Sequence, residues 1–346
     1  MRRHLNTLYV TSQGSYLSKD GANVVVSLER VEKARVPIHT LGGIVGMGQV
    51  SMSPQLMGFC AESGVTVAFT SETGRFLARV EGPVAGNVLL RREQYRRSDD
   101  EAGCAAIVRS IVIGKSLNQR AVLRRGLRDY RERLAPEQVR RLEQTVLRLT
   151  DIARRAEQVN GTDGLRGLEG EAAAAYFAVL DHLVLVEEPG LRFKGRSRRP
   201  PLDPFNALLS FIYTLLVHDC RSALEVAGLD PAVGFLHRDR PGRPSLALDL
   251  CEEFRPWFAD RLVLSLVNRR QLGASDFKRQ ENGAVTMTDD ARKAVLIAYQ
   301  ERKREELRHE FLGETAMIGL LPHLQAQLLA RHLRGDLDGY PPFVWK

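Results

Sequence analysis

The 346-residue sequence predicts an α+β protein in which a small N-terminal β-rich domain precedes a larger all-α domain. Short β-branched runs separated by Gly, Asn and Asp occupy the N-terminal part of the chain. The pattern changes at residues 82–87, GPVAGN, and the runs that follow have the apolar spacing of helices. We therefore place the first domain at residues 1–86 and the second at residues 87–346.

The strands of the first domain are predicted by the runs TLYVT, YLSKDGANVVVSL, VPIHTLGGIVGMG, GVTVAFTS and GRFLARVEG. Asp20-Gly21 predicts a hairpin turn, because both residues tolerate positive φ. One short helix interrupts the strands. Its predicted N-cap is Ser53, Pro54 takes the first helical position, and Gly64 lies just beyond its end.

The second domain opens with the amphipathic runs DDEAGCAAIVRSIVIGKSLNQRAVLRRGL and APEQVRRLEQTVLRLTDIARRAEQV. A glycine-rich hinge is predicted at 161–170, ahead of the helix EAAAAYFAVLDHLVLV, and a basic, proline-rich loop at 195–206. The apolar stretch that follows, at 207–217, is too short for a bilayer, which needs roughly 20 residues. The N-terminus has no signal-peptide pattern, and the four scattered cysteines indicate free thiols. We expect a cytoplasmic protein with no membrane segment.

The formal net charge is +8 and the sequence pI is about 9.5, which favours a polyanionic partner, nucleic acid first. Residues 191–200, LRFKGRSRRP, contain basic side chains and no acidic ones, and 91–97 and 114–128 are further basic clusters. Each cluster alone is more typical of a solvated face. Together they predict contacts with a DNA backbone, which position DNA without reading its sequence. The residues predicted for this role in the first cluster are Arg192, Lys194, Arg196, Arg198 and Arg199.

A histidine and a pair of acids occur close together at residues 235–258, FLHRDRPGRPSLALDLCEEFRPWF. His237 lies on a stiff Pro/Gly-rich loop. Asp249 and Glu252 follow on an apolar helix that Pro256 should kink or restart, and their spacing lets both side chains converge on one point. Alone, these acids are more typical of a solvated helix face, and the histidine of a structural role.

Glu169 is a third candidate ligand, on a helix whose alanines leave space beside it, and Tyr176 shares its face and could orient it or touch a ligand. Taken alone, Glu169 is more typical of an acid that stabilises the first turn of a helix, and Tyr176 is more typical of a core residue. Glu, His and Asp/Glu together are an oxygen and nitrogen ligand set suited to Mg²⁺ or Mn²⁺. Such an ion can polarise a phosphoryl group and activate a hydroxyl or water. No G-x-S-x-G, P-loop or Rossmann fingerprint is present.

Several stretches occur in an order that resembles one known family: GLEGEAAAAYF, RRPPLDPFNALLSFIYTLL, and GFLH followed by GRPSLALDLCEEFRPWFADRLVLSLVNRR. They resemble the CRISPR-associated integrase/endonuclease family, the first universal Cas protein ("Cas-one"). The similarity covers nearly the whole chain, including GKSLNQR and the β-rich domain. The ending GYPPFVWK and the length resemble the type I-C branch.

The resemblance implies that Glu169, His237 and Glu252 are the metal ligands, with Asp249 near the metal or the DNA as a further catalytic residue. Many relatives carry Asp at the position of Glu252, so either Glu252 or Asp249 is the direct ligand. Tyr176 is a candidate DNA contact. Glu253 is expected to be a solvated acid.

The implied activity is a metal-dependent DNA endonuclease and strand transferase, which inserts new spacer DNA at the ends of CRISPR repeats by phosphodiester hydrolysis and transesterification. The implied partners are double-stranded prespacer and repeat DNA, a second copy of the chain joined through the β-rich domain, a small ferredoxin-like "Cas-two" protein and a "Cas-four" nuclease. Two alternatives stay open: a nuclease for branched or repair-intermediate DNA, and a DNA-binding scaffold whose acids are helix caps.

Overall fold

The computed structural model describes residues 6–72, 76–82 and 88–345. Two compact units divide the chain into Met1–Ala85 with Leu296–Arg304, and Gly86–Val295 with Glu305–Lys346. Apart from Gly82, the predicted change of pattern at 82–87 lies outside the described residues. The predicted classes are confirmed: the described part of the N-terminal region is β-rich, and the region after it is predominantly helical.

The described residues of the first unit form two four-stranded sheets, with strand orders β1-β5-β7-β8 and β4-β3-β2-β6. Its apolar core includes Leu17, Val24, Ile44 and Leu56, each at most 1% exposed. The elements are β1 (Asn6–Val10), β2 (Ser15–Asp20), β3 (Asn23–Leu28), β4 (Val31–Pro37), β5 (Leu41–Met47), β6 (Val50–Met52), α1 (Pro54–Glu62), β7 (Thr66–Thr70) and β8 (Phe76–Val80).

Local sequence signals in the first unit are confirmed. Strands β2 and β3 pair antiparallel across the predicted turn, where Gly21 has a φ of 56°. Ser53 is the N-cap of α1 and its hydroxyl accepts from the backbone N–H of Leu56 at 3.2 Å. Gly64 follows the helix with a φ of 64°, a conformation in which a side chain would be strained.

The second unit is built around α3, a 30-residue helix with many buried positions. The helices of the remaining chain are α2 (Val88–Asp99), α3 (Glu101–Tyr130), α4 (Pro136–Gln158), α5 (Thr162–Phe177), α6 (Pro204–Ala227), α7 (Ser245–Glu252), α8 (Arg261–Asn268), α9 (Asp289–Arg304) and α10 (Leu321–Leu333). A π-helix, Arg255–Asp260, separates α7 from α8 and contains Pro256, so the predicted interruption there is confirmed.

Two short hairpins in the helical region were not predicted. They pair β9 (Phe277–Arg279) with β10 (Val285–Met287), and β11 (Glu306–His309) with β12 (Glu314–Met317). Strands of three or four residues are too short to display a period of two. Helix α6 is longer than its apolar stretch suggested. By length and composition it could cross a membrane, but 56% of its most apolar window is buried in the protein.

Candidate metal centre

The loop that carries His237 is held in place by Asp249. The Asp249 carboxylate accepts from the backbone N–H groups of Phe235, Leu236 and His237 at 2.6, 3.0 and 2.9 Å. It also contacts His237 Nδ1 at 2.6 Å. Because an ionised carboxylate only accepts, Nδ1 is the donor in this contact, and Nε2 is the ring nitrogen available to a ligand.

Two further contacts fix the same loop. Arg166 of α5 donates to the carbonyl oxygens of Leu236 and Phe235 at 2.8 and 3.1 Å. Gly234 lies so close to α7 that a Cβ atom there would be 2.8 Å from Ser245 and 2.9 Å from an Asp249 oxygen. The loop position of His237 is therefore determined by both α5 and α7.

Glu169 and Glu252 converge on one cation, the ammonium of Lys115. The ammonium of this α3 residue pairs with Glu169 of α5 and lies 2.5 Å from Oε2 of Glu252 on α7. The other Glu252 oxygen pairs with Arg255 and lies 3.9 Å from His237 Nε2. Three predicted ligands are thus brought together, and Asp249 contacts the opposite edge of the imidazole.

Electrostatic interactions favour the charged forms of Glu252 and Lys115. Burial alone would raise the pKa of the Glu252 carboxyl, but Arg255 and Lys115 outweigh burial and hold that pKa at about 2. Burial acts to lower the pKa of the Lys115 ammonium, but Glu252 and Glu169 raise it on balance. The side chain of Glu252 is only 2% exposed, whereas those of Glu169 and His237 are 26% and 20% exposed. The cluster is therefore open to solvent on the side of Glu169 and His237.

The residues fit a divalent cation by donor type and by charge. Within the described residues, no group of three His, Cys, Asp or Glu side chains is already arranged around a metal position. The Lys115 ammonium instead marks the point between Glu169 and Glu252 where positive charge is stabilised. Carboxylate oxygens and one imidazole nitrogen suit Mg²⁺ or Mn²⁺.

The Asp249→Asn variant is expected to bind Mn²⁺ about 10- to 100-fold more weakly. The substitution removes the charged acceptor for the Nδ1 proton and turns an amide donor toward the loop N–H groups, so the imidazole loses its orientation. Affinity is measured from the signal of free Mn²⁺ in electron paramagnetic resonance. Asp239→Asn, at an exposed acid of the same loop, is the control. Unchanged affinity in Asp249→Asn would show that this carboxylate does not orient the ligand.

Two predicted placements are wrong. Glu253 is completely buried rather than solvated, and it accepts from Tyr340 Oη, Phe343 N and Gln325 Nε2 at 2.5, 2.7 and 2.8 Å. Burial raises the pKa of its carboxyl to about 7. Tyr176 is 0% exposed, so its predicted contact with DNA is not available in this structure.

The predicted hinge at 161–170 is also wrong, because α5 begins at Thr162 and continues through Gly164, Gly167 and Gly170. Glycine costs about 1 kcal/mol in a helix, but packing overrides that local preference. A Cβ at Gly164 would lie 2.7 Å from Val159, so the chain needs a small residue there. Glu169 consequently lies in the middle of a helix rather than in its first turn.

Asp260 and two tyrosines form a buried polar group behind the cluster. Tyr213 Oη donates to Asp260 Oδ1 at 2.6 Å, and the Tyr176 hydroxyl lies against the same carboxyl. Burial raises the pKa of Asp260 to about 7, although Tyr213, Tyr176 and the guanidinium groups of Arg196 and Arg255 act to lower it. Asp260 therefore takes up a proton on folding between its unfolded pKa near 4 and about 7.

This proton uptake predicts a pH-dependent stability. The contribution of Asp260 is fully present below pH 4 and is lost as pH rises through 7, because the charged carboxylate is buried. Relative to Asp260→Asn, the wild type should lose up to about 4 kcal/mol of unfolding free energy between pH 4 and pH 8. Urea unfolding across this range measures both proteins. Parallel pH profiles would contradict a raised pKa at Asp260.

The predicted DNA-binding residues differ in exposure. Lys194, Arg198 and Arg199 are exposed. Arg192 pairs with Asp181, and Arg196 donates to Asn206 Oδ1 at 2.7 Å, so these two also order the loop.

Sequence reasoning did not single out the arginines that follow His237. Partial burial and the positive charges of Arg240 and Arg198 lower the pKa of Arg243. The guanidinium groups of these three residues, called here the basic patch Arg198–Arg240–Arg243, are therefore close enough to influence one another electrostatically.

Lys115 was counted in the basic cluster 114–128 predicted to contact DNA, but it is buried and pairs with Glu169 and Glu252. Arg255 was not predicted as a site residue. The run GKSLNQR contained a signal for Lys115, since an isolated lysine in an apolar helix face needs acidic partners.

Solved structures share this fold. A Cas1 protein of Thermotoga maritima, TM1797, aligns over 96% of this chain and 97% of its own with a TM-score of 0.79 and 24% identity. A casposase bound to an integration product aligns over 99% and 95% with a TM-score of 0.84 and 22% identity. A Cas6-RT-Cas1–Cas2 complex aligns over 99% of this chain and 36% of that chain, with a TM-score of 0.82 and 23% identity. These likenesses define the class of fold alone.

Sequence comparison identifies the family. Residues 8–301 match the family described as CRISPR associated protein Cas1. A CRISPR-associated endonuclease Cas1 of Chlorobaculum tepidum is 57% identical over all of both chains, and one of Rhodospirillum rubrum is equally similar. A Cas4/Cas1 fusion of Geobacter sulfurreducens is 35% identical over 97% of this chain and 60% of its own length. The chain belongs to the Cas1 family, which confirms the predicted family and, with it, the predicted role as a nuclease and integrase of CRISPR adaptation.

Proposed function

We propose that the chain is a metal-dependent integrase that joins the 3′-hydroxyl of spacer DNA to a phosphodiester at the end of a CRISPR repeat. The observation that carries this proposal is the convergence of Glu169 and Glu252 on one cation beside His237 Nε2. The family assignment supports the reaction class, and the cluster supports the dependence on a metal.

In the proposed site, Glu169, Glu252 and His237 Nε2 would hold the ion. Asp249 is a positioning residue rather than a ligand, because the loop N–H groups and His237 Nδ1 use both of its oxygens. Binding of the ion there would require the Lys115 ammonium to leave the two carboxylates. When bound, Mg²⁺ or Mn²⁺ lowers the pKa of the attacking hydroxyl and stabilises negative charge on the phosphoryl oxygens.

The proposed reaction needs no reactant other than the spacer 3′-hydroxyl and the repeat phosphodiester. The attacking 3′-hydroxyl of the spacer loses its proton as its oxygen bonds to phosphorus, the bond from phosphorus to the 3′-oxygen of the repeat strand breaks, and that leaving oxygen takes up one proton. Hydrolysis is the same displacement with water as the nucleophile. Arg255 balances the charge of Glu252, so the buried carboxylate stays ionised throughout.

The basic patch Arg198–Arg240–Arg243, with Lys194 and Arg199, is the proposed contact for the DNA backbone. The exposed guanidinium of Arg198 and the partly buried one of Arg243 repel each other, and a bound phosphate would relieve that repulsion. The patch residues lie on two loops: Arg240 and Arg243 follow His237, and Arg198 precedes α6.

The double variant Arg198→Ala, Arg199→Ala should bind duplex DNA more weakly, with a slope of log affinity against log salt shallower by about 2. Each lost phosphate contact removes about 0.9 from that slope. Fluorescence anisotropy over a salt series measures it. The control is Arg131→Ala, Arg140→Ala, which removes two exposed charges near the junction of α3 and α4. Equal slopes in the two double variants would exclude this surface as the DNA contact.

The proposed assembly is a homodimer joined through the β-rich unit, bound to a small Cas2-like protein and to a Cas4 nuclease. A neighbouring structure that contains Cas1 together with Cas2, and the Cas4/Cas1 fusion, support these partners. We also propose that the chain belongs to the type I-C branch, for which the ending GYPPFVWK is the supporting feature.

The decisive assay combines the chain, its Cas2-like partner, a short duplex with free 3′-hydroxyls and a plasmid that bears a repeat array. The proposal predicts joined products with junctions at both repeat ends, in the presence of Mn²⁺ or Mg²⁺ and not in EDTA. Cleavage of branched DNA without joining would favour the repair nuclease instead.

A further inference from the structure

The C-terminal segment, residues 340–345, packs behind the metal centre. The ring of Phe343 stacks on Phe254 with centroids 5.8 Å apart and lies 5.0 Å from Trp257. Phe254 is two residues beyond Glu252 in the chain. The segment therefore packs against residues that directly follow Glu252, and it supports the backbone from which the Glu252 side chain projects.

Glu253 joins this segment to the end of α7. Its carboxylate accepts from Tyr340 Oη at 2.5 Å and from the backbone N–H of Phe343 at 2.7 Å. Gln325 Nε2 donates to the same carboxylate at 2.8 Å. A buried carboxylate with three donors is held in one orientation, and Glu252 is the next residue.

Asn118 joins the segment to α3, one turn beyond Lys115. Its Nδ2 donates to the carbonyl oxygens of Glu253 and Phe343 at 2.7 and 2.9 Å. Its Oδ1 accepts from the backbone N–H of Trp345 at 2.7 Å. One amide thus ties α3, the end of α7 and the C-terminal segment together.

The segment also approaches α3 immediately before Lys115. A Cβ atom at Gly114 would lie 2.8 Å from Cβ of Pro342, closer than real Cβ contacts allow. Gly114 is in the interior of a helix, where alanine is the more favourable residue. Close packing against the segment explains a glycine at this position.

We propose that residues 340–345 are a positioning element of the metal centre, which sets the direction of Glu252 relative to Lys115 and Glu169 through Glu253 and Asn118. This inference rests on the proposed function, because it takes Glu252 as a metal ligand. The segment touches no reacting atom and acts through the backbone of α3 and α7.

Tyr340→Phe and Gly114→Ala test this role. The first removes one hydroxyl that donates to Glu253, and the second adds one methyl that pushes Pro342 away. Both should weaken Mn²⁺ binding by the DNA-free protein about tenfold, as loss of outer-sphere support does. Free Mn²⁺ is measured by electron paramagnetic resonance. At saturating Mn²⁺, the rate of strand transfer should largely recover. The variants should therefore need more Mn²⁺ for activity, while their maximal rate changes less.

Two controls separate the outcomes. Leu142→Ala removes a fully buried side chain of α4 and should lower thermal stability while leaving Mn²⁺ affinity unchanged. Glu252→Gln should weaken Mn²⁺ binding in any case, and wild-type affinity in that variant would overturn the proposed function itself. The positioning role is overturned if Glu252→Gln binds Mn²⁺ weakly while Tyr340→Phe binds Mn²⁺ like the wild type. The same holds if Tyr340→Phe binds Mn²⁺ no more weakly than Leu142→Ala does. Tyr340→Phe decides alone if Gly114→Ala does not fold.

Discussion

The Glu252→Gln variant is expected to lose Mn²⁺-dependent strand transfer by about 1,000-fold or more, equivalent to about 4 kcal/mol of activation free energy. The amide keeps the size of the buried side chain but cannot supply the negative charge that the cation and the neighbouring guanidinium share. Glu169→Gln and His237→Ala should reduce the rate to a similar level, because ligands of one ion act as a unit.

Glu171→Gln is the matched control for these variants. It lies two residues beyond Glu169 on the same helix, but its carboxylate pairs with Arg148 and Arg155 on the neighbouring α4. It should retain the wild-type rate and metal requirement. Full activity in Glu169→Gln and His237→Ala would contradict the proposed metal centre and leave these residues with structural roles only.

The Lys115→Met variant should be less stable than the wild type by about 3–5 kcal/mol in EDTA at neutral pH. Methionine fills the space of the lysine stem but leaves Glu169 and Glu252 without the ammonium that bridges them. Mn²⁺ should raise the melting temperature of this variant more than that of the wild type, because no ammonium has to be displaced.

Thermal unfolding in EDTA and in a series of Mn²⁺ concentrations measures this difference. Lys194→Met, at an exposed lysine, controls for the loss of one positive charge. If Lys115→Met is as stable as the wild type in EDTA and responds equally to Mn²⁺, the ammonium and the metal do not share a site.

Local chemistry made much of the first unit predictable. The Asp20-Gly21 turn and the Ser53–Pro54 start of α1 depend on φ preferences and caps that lie within a few residues. The β9–β10 and β11–β12 hairpins escaped prediction because their strands are too short to show a pattern. The predicted hinge before Glu169 failed because its glycines fold into α5, which packs against α3 and α4.

The candidate site was predictable in part, and mainly through its resemblance to a family. Glu169, His237 and Glu252 matched motifs of that family. The spacing of Asp249 and Glu252, taken alone, predicted that their side chains converge on one point. In the structure they contact opposite edges of one imidazole. The need of Lys115 for acidic partners could be predicted from its apolar helix face. Which acids they are could not, because Glu169 and Glu252 come from helices far apart in the chain.

Glu253 illustrates the same point. The sequence predicts a solvated acid at this position, next to the candidate ligand Glu252. Packing of the C-terminal segment against α3 instead makes Glu253 the acceptor at the centre of a buried network. No local pattern connects residue 253 to residues 340–345.

The most direct measurement is a crystal structure of the protein soaked with Mn²⁺, with the ion located by its anomalous signal. We expect the ion between Glu169 and Glu252, in contact with His237 Nε2, with Asp249 still bonded to Nδ1 and Lys115 withdrawn from both carboxylates. An ion bound elsewhere, or an Lys115 ammonium that still bridges the two carboxylates at saturating Mn²⁺, would contradict the proposed metal centre.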